Sequence, residues 1–264
     1  MLVNAYPGFD CHIHSSFSDG CASLEAMARS AVARGLNGVV FTDHMPLPFE
    51  NRYALAHRRL EAYRAEIQAV RRRMSGRLQV LMGLEMEYLP SHGAWSREIA
   101  QDPWDVLIAS VHQLEEKGRR FLINGTAAEF VTALETGFGG DLRRLCEAYY
   151  RQSIAMVETG LFRILGHLDV LGKHNRNGRF FDESAPWYRE LVAALLAAVG
   201  QAGMVVEINT GGLDHDVRSA YPGPRILAAI EKKGIPVCLS SDAHRPEDVA
   251  RHFARFPTAA QQEP

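Results

Sequence analysis

The sequence has few cysteines, and those that it has are scattered. Four occur in 264 residues, at Cys11, Cys21, Cys146 and Cys238, and no pair has C-x-x-C spacing. This pattern excludes a disulfide framework and a thiolate zinc site, and it is typical of free thiols in a reducing compartment. Eleven histidines instead point to metal binding or acid–base chemistry.

An excess of charge of one sign is also missing. Lysine and arginine total 29 against 31 acidic residues, a formal net charge of −2, so bulk attraction to nucleic acid or to a membrane surface is not expected. No apolar run is long enough to span a bilayer, and no secretory leader is recognisable before Phe9. We therefore expect a cytoplasmic protein without nucleic-acid or membrane partners; the sequence leaves its oligomeric state open.

Two motifs of common hydrolases and nucleotide-binding proteins are absent. The chain has no G-x-S-x-G nucleophile elbow and no glycine-rich P-loop. A serine hydrolase or a P-loop enzyme is therefore not expected.

Apolar strands and amphipathic helices alternate along the chain. About seven strand–helix units follow one another, with no linker rich in Ser, Pro or Gly between them. The pattern predicts a single α/β domain over residues 1–264 that resembles a barrel, with a frayed tail at 258–264. The segment from Gln113 to Gly140 has no clean period and is expected to be an elaborated loop near the site; the sequence leaves open whether it moves as a lid.

Potential metal ligands recur where the predicted strands end. On the first strand Asp10, His12 and His14 share one face, so both imidazoles can meet one ion, with Asp10 close enough to orient a ring. In α/β barrels the carboxyl ends of the strands converge on one rim, which carries the functional groups. Side chains placed at this rim are His14, Asp19, His44, Glu85, His112, His167, Asn209, Asp242 and His244.

Seven motifs spread over nearly the whole chain resemble those of the polymerase-and-histidinol-phosphatase (PHP) superfamily, and most closely its histidinol-phosphate phosphatase branch. They are DCHIHSSFSDG, FTDHMP, GLEMEY, ASVHQL, ILGHLDVLGKHN, VEINTGGL and SSDAHRPEDV. The resemblance implies a distorted (β/α)7 TIM-like barrel that holds up to three transition-metal ions.

The resemblance also implies a ligand set. His12, His14 and Asp242 would bind one metal ion, and Glu85 would bridge this ion to a second ion bound by His112 and His167. Asp19, His44 and His244 would hold the third ion. Glu87 shares the face of Glu85 and could compete for the bridging role; only the motif favours Glu85. A ligand set of nitrogen and oxygen suits Zn, Fe or Mn.

Such a cluster suits the hydrolysis of phosphomonoesters. A metal-bridging hydroxide would be the nucleophile, and Asp19 or His244 would protonate the leaving group. Arg176 and Arg218 are candidates for phosphate binding, with Lys173, His174, His215 and Tyr221 in the same loops as alternatives. Loop acids could bind a substrate amine: Glu115, Glu116, Asp214 and Asp216.

The implied function is a metal-dependent histidinol-phosphatase, which converts L-histidinol phosphate to L-histidinol and phosphate in histidine biosynthesis. The alternative within the superfamily is a phosphoesterase for a nucleotide or sugar phosphate. A second class is a non-catalytic PHP module of the kind found in polymerases. The complete ligand set and the absence of a polymerase domain count against that class.

Overall fold

The computed structural model describes residues 1–260, and its centre is a nine-stranded sheet in which every strand pair is parallel. Its strands are β1 (Val3–Asn4), β2 (Phe9–Ile13), β3 (Gly38–Phe41), β4 (Gln79–Glu87), β5 (Val106–Ser110), β8 (Ile164–Leu165), β9 (Val205–Asn209), β10 (Val237–Ser240) and β11 (Ala259–Ala260). A separate antiparallel hairpin comprises β6 (Gln113–Glu116) and β7 (Arg119–Leu122).

The strand order is β11-β1-β10-β9-β8-β5-β4-β3-β2, and the sheet curls until β2 meets β10. The main-chain N–H of His14 donates to the carbonyl of Ala243 at 2.9 Å, and Ile13 bridges Ala243 in parallel. The seven strands from β2 through β10, without the hairpin, thus form the predicted distorted barrel. The fold class is confirmed.

Seven α-helices in residues 1–260 connect or flank these strands. They are α1 (Leu24–Ala33), α2 (Leu60–Met74), α3 (Gly93–Ala100), α4 (Ala127–Thr132), α5 (Leu142–Glu158), α6 (Pro186–Ala202) and α7 (Pro224–Lys233). The residues at the helix ends are ones that favour starting or stopping a helix. The Ser23 side chain caps α1 by accepting from the N–H of Ala26. Both α6 and α7 begin with proline, and they end at Gly203 and Gly234, whose backbones are in the left-handed region. Of the described helices, none has the length and hydropathy needed to cross a membrane.

The core lies between the sheet and the helices around it. Tyr63, Ile67 and Val70 on α2 are fully buried, as their spacing predicts. At Gly83 a Cβ atom would lie 2.2 Å from the carbonyl oxygen of Val106, so glycine permits the close approach of β4 to β5. Cys11, Cys146 and Cys238 are buried free thiols, whereas Cys21 is exposed.

The segment from Gln113 to Gly140 differs from the predicted loop. It contains the β6–β7 hairpin, whose turn residues Lys117 and Gly118 both have positive φ (51° and 71°), then α4 and a π-helical turn at Ala133–Gly137. The hairpin pairs opposite charges across its strands, with Glu115 opposite Arg120, which stabilises a segment that has no apolar period.

The predicted tail also differs in part. Ala259–Ala260 pair with β1, and the Asn4 side chain donates to the Thr258 hydroxyl at 3.2 Å. Residues 261–264, the rest of the predicted frayed tail, lie outside the described residues.

Candidate metal centre

The predicted ligands come together at the carboxyl ends of the barrel strands. They lie close together in the space that the strands enclose, and we describe them as three neighbouring groups; the buried members have almost no exposed surface. Three overlapping sets have all their ligand atoms within 4.8 Å of one another: His12, His14 and Glu85; His44, Glu85 and His112; and His14, Asp19, His44 and His244. The nine side chains are His12, His14, Asp19, His44, Glu85, His112, His167, Asp242 and His244.

The first group contains His12, His14, Glu85 and Asp242. The Nε2 atoms of the two histidines are 3.0 Å apart, and Oε2 of Glu85 lies 3.5 Å and 3.7 Å from them. Oδ1 of Asp242 lies 3.8 Å from Nε2 of His12 and 3.3 Å from Nε2 of His14. Ligands about 2.0–2.1 Å from a tetrahedral ion are about 3.3 Å apart. The ligand atoms of His12, His14 and Glu85 are therefore close enough to meet one ion, and Asp242 adjoins them beside His14.

The second group contains His112 and His167 together with the other oxygen of Glu85. Oε1 of Glu85 lies 3.1 Å from Nε2 of His112 and 2.9 Å from Nε2 of His167, and these two nitrogens are 3.2 Å apart. Glu85 therefore presents one oxygen to each group. This is the geometry required of a bridging carboxylate.

The third group lies nearer to solvent. Asp19 places Oδ1 3.3 Å from Nε2 of His244 and Oδ2 3.6 Å from Nε2 of His44, and the side chains of Asp19 and His244 are 31% and 36% exposed. His44 also reaches inward, with Nδ1 2.7 Å from Oε2 of Glu85, so it contacts two groups rather than one. The open side of the centre is therefore the Asp19–His244 side.

Several buried polar atoms of the centre form no hydrogen bond among the described residues: Oε2 of Glu85, which Nδ1 of His44 approaches without hydrogen-bond geometry, Nδ1 of His14 and Nδ1 of His167. A buried carboxylate oxygen without a partner costs free energy, and a cation between it and the nearby imidazoles would remove that cost. Nitrogen and carboxylate oxygen atoms are the ligands that Zn, Fe and Mn accept. The residues therefore fit the implied metal ions.

The electrostatics of the centre also favour a cation. Burial raises the pKa of the Glu85 carboxyl, but the charges of His112, His44 and His12 outweigh burial and hold that pKa well below its usual range. Burial lowers the pKa of His12, whereas Glu207, Glu85 and Asp242 raise it well above the usual value. The same negative field that stabilises an imidazolium would attract a metal ion.

His14 is an exception within this field. Burial, together with the neighbouring His244 and His44, lowers its pKa to about 3. A neutral imidazole is the form that binds a metal ion, so His14 is ready to act as a ligand at neutral pH.

Two buried carboxylates, Glu87 and Glu207, accept hydrogen bonds from Nδ1 of His112 and His12 and so fix the orientation of these rings. Nδ1–H of His112 donates to Oε2 of Glu87 at 2.8 Å, and the main-chain N–H of His112 donates to Oε1 of Glu87 at 3.0 Å. Nδ1–H of His12 donates to Oε1 of Glu207 at 2.6 Å. Glu87 is thus occupied with His112 and leaves the bridging position to Glu85.

Asp10 has a different role from the predicted one. Its carboxylate accepts from the main-chain N–H of Ser241 at 2.9 Å and of Ala250 at 2.8 Å, and also from the hydroxyl of Ser241. It therefore joins β2 to the loop after β10 and orients no imidazole. Sequence reasoning missed Glu207, although its signal was visible as a single carboxylate inside the apolar strand VVEIN.

The predicted phosphate-binding arginines are exposed. Arg176 lines a cavity of about 560 Å³ together with Asp169, Glu183 and Tyr221, and none of the nine candidate ligands lines this cavity. Arg218 is exposed and has a left-handed backbone, with φ of 55°. Neither arginine forms an ion pair among the described residues.

Two of the alternative residues interact electrostatically with Asp242, one of the candidate ligands. Nζ of Lys173 donates to the carbonyl of Asn124 at 2.5 Å. Burial lowers the pKa of Lys173, whereas the carboxylate of Asp242 raises it. Nδ1 of His215 lies 3.1 Å from the hydroxyl of Tyr221, and burial lowers the pKa of His215 to about 4. Both side chains are within electrostatic range of Asp242.

The other candidates in these loops bind protein groups. His174 is buried, with Nε2 3.0 Å from the carbonyl oxygen of Gly125 and Nδ1 3.2 Å from Oδ2 of Asp216. The remaining candidate acids for a substrate amine are paired as well: Glu115 with Ser91, Glu116 with Arg144, and Asp214 with Arg251 and His252.

The comparisons with known proteins agree with this fold and centre. The sequence model of the PHP domain family matches residues 10–211, and the chain belongs to the PHP family. A protein of Deinococcus radiodurans named "Probable histidinol-phosphatase" is 34% identical over 249 residues, which cover 93% of this chain and 89% of the relative.

Two crystal structures share the fold. The hisK protein of Listeria monocytogenes has a TM-score of 0.85 at 21% identity, covering 94% of this chain and all of that one (100%). A histidinol phosphate phosphatase from Lactococcus lactis, solved in complex with zinc, L-histidinol and phosphate, has a TM-score of 0.69 at 23% identity and covers 90% of this chain and 87% of that one.

Proposed function

We propose that this protein is a metal-dependent histidinol-phosphatase, which hydrolyses L-histidinol phosphate to L-histidinol and inorganic phosphate in histidine biosynthesis. The observation that carries the proposal is Glu85, which presents one oxygen to each of two histidine groups in a nitrogen-and-oxygen centre. The names of the relatives, and the product complex of the Lactococcus lactis protein, support a phosphatase with this substrate.

The ligands divide the proposed cluster into two buried ions and one more exposed ion. His12, His14, Asp242 and Glu85 would hold the first ion, and Glu85, His112 and His167 the second. Asp19, His44 and His244 would hold the third. When bound, Zn, Fe or Mn ions in such a cluster supply an ionised water as the nucleophile and neutralise the phosphoryl oxygens.

The leaving group departs on the open side of the centre. Asp19 and His244 are the more exposed ligands there, and Nδ1–H of His244 donates to the carbonyl of Asp242 at 3.0 Å, which fixes the ring. Asp19 and His244 are our candidates for protonating the leaving oxygen, because they are the most exposed of the candidate ligands and a substrate can reach them directly.

Phosphate recognition has two candidate sets. Arg176 and Arg218 offer guanidinium groups that can turn toward a bound phosphate because they are free of ion pairs among the described residues. Lys173 and His215 are held by hydrogen bonds to the Asn124 carbonyl and the Tyr221 hydroxyl, and both interact electrostatically with Asp242. The substrate is a small molecule in either case, and the pathway implies a cytoplasmic enzyme without nucleic-acid or membrane partners.

The experiment that tests this function is a phosphate-release screen of the metal-loaded protein. We expect the highest kcat/KM for L-histidinol phosphate among a panel that also contains nucleotide and sugar phosphates. A nucleotide or sugar phosphate that exceeds it would replace the substrate assignment with the alternative PHP phosphoesterase. A protein that retains metal but releases phosphate from no member of the panel would point to a non-catalytic PHP module.

A further inference from the structure

Glu207 is a carboxylate in the interior of the barrel. It lies on β9 between Val206 and Ile208, and its exposed fraction is 0%. No lysine or arginine of the described residues forms an ion pair with it. A buried carboxylate in such a position is costly unless hydrogen-bond donors compensate its charge.

The donors to Glu207 come from three different strands or their ends. Oε1 accepts from Nδ1–H of His12 at 2.6 Å and from the hydroxyl of Ser240, and Oε2 accepts from the main-chain N–H of His167 at 2.5 Å. His12 belongs to the first ligand group and His167 to the second. One side chain therefore holds one ligand of each group.

The two bonds act on the ligands in different ways. Because Nδ1 of His12 donates to Glu207, Nε2 is the ring atom that faces Glu85 and Asp242 and that is left to bind an ion once its own proton is lost. The bond to His167 fixes the main chain just after β8, and the ring of His167 then reaches Oε1 of Glu85 at 2.9 Å. Loss of either bond would loosen one ligand.

Glu87 provides a natural comparison. It is also buried and also accepts from the Nδ1–H of a candidate ligand, but both of its bonds to candidate ligands go to one residue, His112. Its remaining bond is with the main-chain N–H of Gln113. Glu87 therefore supports the second group alone.

We propose that Glu207 is a positioning residue that couples the two buried metal groups, so that its carboxylate sets the affinity for both ions at once. The inference rests on the proposed function only in that these groups bind metal ions. It assigns to Glu87 the narrower role of supporting the ion at His112 and His167.

The test compares Glu207→Gln with the matched variant Glu87→Gln. Glutamine keeps the size of the side chain but accepts through one oxygen only, so it cannot serve both His12 and the main chain of His167. Apo protein is titrated with Zn²⁺ against a chromophoric chelator, which gives the stepwise affinities without substrate. Apo melting temperatures and circular dichroism check the fold of each variant.

In the wild type we expect at least two steps of tight Zn²⁺ binding. Glu207→Gln should weaken both of them about ten- to a hundred-fold, and Glu87→Gln should weaken one by a similar factor. If Glu207→Gln does not fold, Glu207→Asp replaces it in the test. Aspartate keeps the negative charge but has a side chain shorter by one methylene, so the affinity for Zn²⁺ should fall at both binding steps, by a smaller factor.

Three results are decisive. If Glu207→Gln folds and weakens one step or none, the coupling role is overturned, whatever the activity. If the wild type binds fewer than two ions, the proposed metal centre fails and the coupling role fails with it. If both steps respond as expected but histidinol phosphate is not hydrolysed, only the proposed function is overturned.

Discussion

Oε1 of Glu85 lies 2.9 Å from Nε2 of His167, although 82 residues separate them in the chain. The fold brings these two residues together. Glu85 lies near the carboxyl end of β4 and His167 follows the carboxyl end of β8, and the carboxyl ends of these parallel strands meet at one rim of the barrel. The other oxygen of Glu85 faces His12 and His14. Removal of Glu85 should therefore affect both buried groups.

The first prediction concerns these ligands. Glu85→Ala and His12→Ala should abolish turnover and reduce the bound metal, since each removes a ligand that the structure places in a buried group. The measurement is metal content by mass spectrometry alongside phosphate release. Wild-type protein should carry two to three transition-metal ions, about what nine ligands hold at three to four each. A variant with full metal content and normal turnover would refute the ligand assignment.

A second prediction concerns phosphate recognition. If Arg176 and Arg218 bind the phosphoryl group, alanine at each position should raise KM about ten- to a hundred-fold, because a charge-assisted contact is worth about 1.5–3 kcal/mol. Arg72→Ala on the exposed side of α2 is the matched control and should behave as the wild type.

Normal kinetics in both arginine variants would move the role to Lys173 and His215. Lys173→Gln is the informative change in that case, because it keeps an N–H donor for the carbonyl of Asn124 but removes the charge. A raised KM in Lys173→Gln, restored in Lys173→Arg, would assign the phosphate contact to the lysine charge.

The third prediction concerns the preference between substrates. We expect kcat/KM for L-histidinol phosphate to exceed that for p-nitrophenyl phosphate by at least about a hundred-fold, although the aryl leaving group is the easier one. This ratio requires about 2.7 kcal/mol of selective transition-state binding, which one or two buried polar contacts can supply. Equal values would show that the centre does not recognise the histidinol part of the substrate.

The fourth prediction concerns stability and pH. Burial, with a contribution from the Glu183 carboxylate, raises the pKa of Asp169 to about 7, and the main-chain N–H of Gly223 donates to its Oδ2 at 2.8 Å. In the unfolded chain this group ionises near pH 4. Between these values the folded state binds the extra proton, so this group makes the protein less stable as the pH rises from about 4 to 7.

Asp169→Asn removes that dependence while keeping an acceptor for Gly223. The melting temperature of the variant relative to the wild type should therefore rise between pH 5 and pH 8. Glu50→Gln, an exposed change from carboxyl to amide, should show no such trend. A constant difference between Asp169→Asn and the wild type across this range would contradict the raised pKa.

The sequence predicted most of the barrel because its strands are apolar and its helices have clear periods. The helix from Pro224 to Lys233, for example, begins at a proline and ends before Gly234, and Ser23, a residue type that favours helix starts, caps α1. The ligands could be placed at one rim because parallel strands all end there. Their grouping, such as the contact of His44 with Glu85, depends on side-chain conformations that a linear pattern does not contain.

The elements that were missed lack a periodic signal or depend on distant partners. β1 and β11 have two residues each, and they exist only because they pair with each other and with β10. The start of α4 did have a signal, the capping box of Thr126 and Glu129. Glu207 shows most clearly what a sequence pattern cannot predict, because its three hydrogen-bond donors come from positions 12, 167 and 240, which are far apart in the chain.

The central claim is that a metal cluster on these ligands hydrolyses histidinol phosphate. The most direct measurement is phosphate release from L-histidinol phosphate by one sample, assayed as purified, after exhaustive chelation, and after addition of Zn²⁺, Fe²⁺ or Mn²⁺, with metal content determined at each stage. We predict that activity falls with metal content and returns on reloading. Activity that persists in fully metal-free protein would contradict the account.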